Sequence, residues 1–223
     1  MSDLYNKGLY NSINEEFLLE GHLVLKRVAE VQKKWGKGDT DTFINELRDS
    51  MIGYFLGYNL VNVEKHGFDC KMNQKENVFL EVKSASFSSS TWAATFNDTT
   101  VEKAQCFQTK SLFLSLALWD GASNLLFVAY GQNKELGLFL EEKVKRFLSG
   151  KGGVRSTQTI SLLQLVTQYG FDIICPTKSK AEVKRILRNK SSGFNIIPDS
   201  SFLTLEEYGK KYNRPYREMY DLK

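Results

Sequence analysis

Residues 66–86 read HGFDCKMNQKENVFLEVKSAS, two strand-length runs around a polar turn. Residues 68–72 and 78–84 are short apolar runs of strand length, and the polar Asn73, Gln74, Lys75, Glu76 and Asn77 make the turn of a hairpin between them. Inside the second run, Glu81 and Lys83 interrupt Val78, Phe79, Leu80 and Val82. Side chains two apart on a strand share a face, so these two project together. The hairpin return brings Asp69 beside them. Two carboxylates and an ammonium converge on one spot.

Working outward, residues 15–35 carry Phe17, Leu18, Leu25, Val28 and Val31 at helical spacing, and Gly36 to Asp39 break the pattern. Thr40 or Asp41 caps a second helix running to about Tyr58, with Phe43, Ile44, Leu47, Met51, Phe55 and Leu56 on its apolar stripe. Residues 60–64 alternate as a strand. After the hairpin, residues 84–99 are rich in Ser, Thr and Asn and read as a loop, with Asp98 or Thr99 capping a helix over 100–110. Strands follow over 112–119 and 125–130, helices over 135–148 and 161–169, a strand over 171–175, and a basic helix over 178–188. The expected class is α/β: a central mixed β-sheet flanked by helices. A single domain is expected, with a helical N-terminal extension over 1–39, a catalytic core over 40–175, and a basic helix and tail over 176–223.

The 223 residues are 42% hydrophobic and 25% charged, the balance of an ordinary globular protein. No apolar run reaches the roughly 18 residues of a membrane span. The first ten residues are polar and lack a signal core, which leads to the expectation of a cytoplasmic protein. Cys70, Cys106 and Cys175 are too scattered for a disulfide framework or a zinc knuckle and read as buried thiols. Two histidines, His22 and His66, exclude a multi-histidine metal centre. His22 reads as a satisfied core residue and His66 as a turn residue. No glycine-rich phosphate loop follows a strand, and no GxSxG elbow is present.

The chemistry therefore rests on Asp69, Glu81 and Lys83. Two close carboxylates repel, and a divalent cation between them resolves the repulsion. Magnesium suits this site, since it takes hard oxygen ligands, needs few carboxylates and retains room for a phosphate oxygen. The Val82 carbonyl is a candidate third ligand. A lysine at this place can hold or help deprotonate an attacking water and offset charge on a phosphate.

The pattern Asp69, Glu81-Val82-Lys83 resembles the PD-(D/E)xK nuclease superfamily, which includes type II restriction endonucleases, junction resolvases and repair nucleases. The order helix, hairpin, helix, two strands over about residues 40–131 is similar to that family's core. The resemblance implies a restriction-endonuclease-like fold and a Mg2+-dependent phosphodiesterase, with Mn2+ as a possible substitute, leaving 5′-phosphate ends. By position, Asp69 and Glu81 match the metal ligands and Lys83 the catalytic lysine. Members often add a glutamate from the preceding helix, and Glu46 is the candidate here. Phe68 departs from the pattern, standing where proline is common. A second string, Asp172 followed by Glu182-Val183-Lys184, mimics the motif, but its last three residues fall on a helix, where residues two apart diverge.

The chain reads as most like a type II restriction endonuclease: a cytoplasmic homodimer cutting double-stranded DNA at a specific sequence. A structure-specific or repair nuclease such as a junction resolvase, and a non-catalytic DNA-binding module, remain the alternatives. Candidate DNA contacts are Ser86, Ser88, Asn97, Thr99, Lys103 and Gln105 after the catalytic strand, Arg155 in a glycine-rich loop, and Lys178, Lys184, Arg185 and Arg188 on the basic helix. Asn97 or Gln105 could read adenine, and the cations could track phosphates. The net charge of +4 is mild, so the clustering carries this expectation and the total does not.

Overall fold

The computed structural model describes residues 9–11, 14–35, 42–62, 68–72, 77–97, 99–150 and 157–218. Its strands are β1 (Leu9–Asn11), β2 (Asn59–Asn62), β3 (Cys70–Lys71), β4 (Phe79–Ser86), β5 (Ala93–Phe96), β6 (Leu112–Asp120), β7 (Asn124–Gly131), β8 (Gln158–Ser161), β9 (Asp172–Cys175) and β10 (Phe202–Thr204). Its α-helices are α1 (Glu15–Trp35), α2 (Thr42–Phe55), α3 (Val101–Cys106), α4 (Lys134–Leu148), α5 (Leu162–Thr167), α6 (Lys180–Lys190) and α7 (Leu205–Tyr212).

The near-continuous apolar runs of β6 and β7 are buried on both faces and form the centre of a mixed sheet. The strand order is β1-β2-β3-β4-β6-β7-β9-β10. β6 and β7 form a hairpin whose turn is opened by Gly121 at φ +70°, a left-handed conformation that glycine adopts without Cβ strain. β4 pairs with β6 in parallel, with Glu81 opposite Leu114 and Lys83 opposite Leu116. A parallel pair needs a crossover, and β5 with α3 supplies it.

Two apolar cores lie one on each side of the sheet. One joins Leu18 and Leu25 of α1, Met51 and Ile52 of α2 and Tyr208 of α7 to Leu80 and Val82. The other joins Ala104 of α3, Leu140 of α4, Leu165 of α5 and Val183 of α6 to Phe79 and Phe96. Leu80 and Val82 enter the first core, so the alternation of β4 sends Glu81 and Lys83 to the opposite face, beneath α3.

Several elements differ from the sequence expectation. β5 is a strand, not a loop, and pairs antiparallel with β8 as a separate two-stranded ribbon. Thr100, not Asp98 or Thr99, caps α3 by accepting from the Lys103 amide. The C-terminal stretch adds two elements that the sequence reading did not assign: β10 extends the sheet in parallel beside β9, and α7 packs Tyr208 into the first core. His22 Nδ1 is buried without a hydrogen-bond partner among the described residues, and burial lowers the imidazole pKa. No described helix is long and apolar enough to cross a membrane.

Candidate active site

β3 and β4 pair Cys70 with Leu80 and Lys71 with Phe79, and one step further along this register Asp69 stands opposite Glu81. The Asp69 carboxylate accepts the Val82 amide through Oδ2 at 2.6 Å, which ties the two strands together beyond their last ladder pair. The N–H and C=O of one strand residue leave from the same edge, so the Val82 carbonyl also projects toward Asp69.

Glu81 is 2% exposed. Its Oε1 accepts two ammoniums, Lys83 Nζ at 2.6 Å and Lys103 Nζ at 2.8 Å. Its Oε2 is buried with no hydrogen-bond partner among the described residues. An orphaned carboxylate oxygen in a buried place costs on the order of 1–3 kcal/mol or more, so this atom calls for a ligand. Aromatic rings flank both cations, Phe96 at 5.9 Å from Lys83 Nζ and Phe68 at 5.9 Å from Lys103 Nζ. Phe68, the residue that departs from the nuclease pattern, thus packs against Lys103 and lies on Phe79 at 5.1 Å.

A third carboxylate that the sequence reading did not select joins this cluster. Asp49 of α2 interacts electrostatically with Asp69, Lys83 and Glu81. The Cys70 thiol lies 3.9 Å from the Asp49 carbonyl, so the turn carrying Asp49 abuts the start of β3. Burial, then the Asp69 charge, push the Asp49 carboxyl well above its ordinary range. Asp69 is pushed up to about 7 by burial and by Glu81. Glu81 goes the other way: burial acts to raise it, but Lys83 and Lys103 outweigh burial and hold it below the usual carboxylate value. Burial acts to lower Lys83, and the Glu81 and Asp69 carboxylates reverse that and hold it above the ordinary lysine value. Glu46 sits on α2, but its side chain lies outside the described residues.

No group of three His, Cys, Asp or Glu side chains among the described residues is gathered tightly enough to share one ion. Magnesium does not need three carboxylates; one or two, with waters, are its usual protein share. Asp69, the unpartnered Glu81 Oε2 and the Val82 carbonyl are a hard-oxygen set that fits it.

The remaining candidates are placed as follows. Lys103 belongs to the cluster itself. Thr99 is 6% exposed. Gln105 donates to Glu141 at 3.0 Å, and Gln108 joins the same carboxylate. Ser86 and Ser88 bond to each other at 2.9 Å. Asn97 is exposed and accepts from Thr157 at 3.2 Å across the ribbon. Lys184 pairs with Asp199 at 2.7 Å, while Arg185 and Arg188 are exposed and Lys178 is half-buried. Lys190 donates to the Ser89 carbonyl at 2.6 Å, fastening α6 to the serine-rich loop after β4. Arg155 and His66 lie outside the described residues. The mimic motif is accounted for structurally: Asp172 is held by Lys211 and Tyr212, and Glu182 closes a capping box with Ser179.

No protein-family model and no curated protein sequence matches the chain.

Proposed function

We propose that the chain is a Mg2+-dependent DNA endonuclease of PD-(D/E)xK type, most like a type II restriction enzyme acting as a homodimer. The observation that carries the reading is Glu81. It is a buried carboxylate with one oxygen on two lysines and the other unpartnered, set beside Asp69 and near Asp49. This arrangement concentrates negative charge for a cation and positive charge for a phosphate at one point on the sheet.

In this reading Asp69, Glu81 Oε2 and the Val82 carbonyl hold the ion, with Asp49 as a further carboxylate nearby. The ion, when bound, supplies Lewis-acid chemistry at the phosphate and acidifies water. Lys83 orients the attacking water. The water oxygen bonds to phosphorus, the P–O3′ bond breaks, and a proton ends on the 3′-oxygen, leaving a 3′-hydroxyl and a 5′-phosphate. Sequence specificity is supported by the ribbon of β5 and β8, whose outer face carries Thr95, Asn97, Thr157, Thr159 and Ser161. A major groove admits a two-stranded ribbon of this kind.

The test is digestion of a long, fully sequenced, unmodified DNA with magnesium and with EDTA. Discrete magnesium-dependent fragments with 5′-phosphate ends are expected. Asp69→Ala and Lys83→Ala are expected to lower cleavage by at least about a thousandfold while DNA binding persists. Undiminished cleavage by either variant would sink the site assignment.

One observation favours a second reading. With both ammoniums on Glu81 Oε1, the cluster is also held together by ion pairs that need no metal. A non-catalytic DNA-binding module follows from that view, and it predicts DNA binding indifferent to magnesium and no cut.

A further inference from the structure

Resting on the nuclease reading, we propose that Lys103 is a second catalytic ammonium: with Glu81 engaged by a divalent cation, it turns to a non-bridging oxygen of the phosphodiester being cut. Lys83 and Lys103 reach the same oxygen, Glu81 Oε1, from different elements. The Lys83 contact follows from its place two residues along the same strand. The Lys103 contact does not follow from local sequence, since 22 residues separate it from Glu81. α3 is positioned independently, by the Thr100 cap and by burial of Ala104 and Cys106.

A purely structural second lysine would sit best on Oε2, the oxygen left unpartnered. Instead it doubles the positive charge on an oxygen already paired. Both lysine side chains are also accessible, at 24% for Lys83 and 23% for Lys103, against 3% for Glu81. A ligand approaching the cluster therefore meets the ammoniums first.

Charge leads to the same role. Lys83 and Lys103 bring positive charge to a site that also holds the carboxyl groups of Asp49, Asp69 and Glu81, so loss of Lys103 removes one of the ammoniums that can offset the charge of an arriving phosphodiester.

The test uses Lys103→Met, with Lys103→Arg as the conservative variant and circular dichroism melts to verify folding. Mn2+ titrated into the DNA-free protein should bind Lys103→Met about tenfold more tightly than wild type, because a repelling cation near the site is gone. Single-turnover cleavage of a DNA that wild type cuts should slow by about a hundredfold, with Lys103→Arg recovering part of the rate. Wild-type cleavage speed in Lys103→Met overturns the proposal and leaves the nuclease reading intact. Weaker Mn2+ binding together with a lowered melting temperature also overturns it, by showing a structural role. A wild-type protein that cuts no DNA, linear or branched, defeats the nuclease reading itself.

Discussion

Under the nuclease reading, a proton and a metal compete for the same oxygens at Asp69. Burial and the neighbouring Glu81 charge raise this carboxyl to about 7, so the metal-free site holds a proton there that the unfolded chain releases near its ordinary value of 3.8. The folded state then binds the extra proton across the window between the two values, and stability falls as pH rises through it. Above that window the ionised Asp69 is a standing cost. In EDTA, Asp69→Asn should therefore stabilise the protein at pH 8, by up to about 4 kcal/mol, with the gain vanishing as pH approaches 4. Glu81 contributes with the opposite sign, since its lowered value makes its stabilisation present at neutral pH and lost in acid. Magnesium affinity in the wild type should climb from pH 5.5 to 8 as the proton leaves, and calorimetric titrations at several pH values measure this directly. A flat affinity profile would show that Asp69 is not a ligand.

At the scale of elements, the ribbon decides which DNA is cut under the nuclease reading. Phe96 of β5 flanks Lys83, so the exposed Thr95 and Asn97 lie on residues that adjoin the cluster. Their cross-strand partners are Thr159 and, by continuation of the register, Thr157. The outer face has hydroxyls and an amide but no charge, which suits base edges better than phosphates. Asn97→Ala should lower cleavage at the preferred site by ten- to a hundredfold, about 1–3 kcal/mol, and relax its sequence preference without changing the melting temperature. Sequencing the fragment ends from a pool of random sites checks this, and an unchanged preference would move recognition elsewhere. The ribbon was not legible in the sequence, because Thr, Ser and Asn suit loops as well as exposed strands, and its two halves lie 60 residues apart at Asn97 and Thr157. The hairpin of Asp69, Glu81 and Lys83 was legible because period-two alternation and a polar turn are both local signals. Glu46 and Asp49 share a helical face three residues apart, so periodicity could not choose between them, and only the packing of α2 on β3 brings Asp49 forward. Lys103 reads from the sequence as a candidate DNA contact, and only the crossover that carries α3 back over β4 brings it to Glu81. β10, with three residues, was too short for its pattern to register.

At the scale of the whole molecule, the proposed homodimer needs a surface, and α1 offers one. Leu18 and Leu25 point into the core, while Phe17, Val24 and Val31 are exposed at seven-residue intervals. A straight helix drifts only about 20° per seven residues, so these three form a stripe along one side, about 21 Å long at 1.5 Å per residue. Leu23, at 55% exposed, and Leu19 widen the apolar surface on the helix. A two-fold axis across the stripe would set α1 against its own copy, and two active sites would then face the two strands of a palindromic duplex. Analytical ultracentrifugation at micromolar concentration should show a dimer, and Val24→Glu combined with Leu23→Glu should give a monomer. Both side chains are exposed, so the monomer's melting temperature should hold within a few degrees, which separates loss of association from loss of folding. The monomer should cut one strand and release nicked circles from a supercoiled plasmid where the dimer releases linear product. Linear product from the double variant, or a wild type that sediments as a monomer with and without DNA, would leave α1 without this role and turn the reading toward an enzyme that acts one strand at a time.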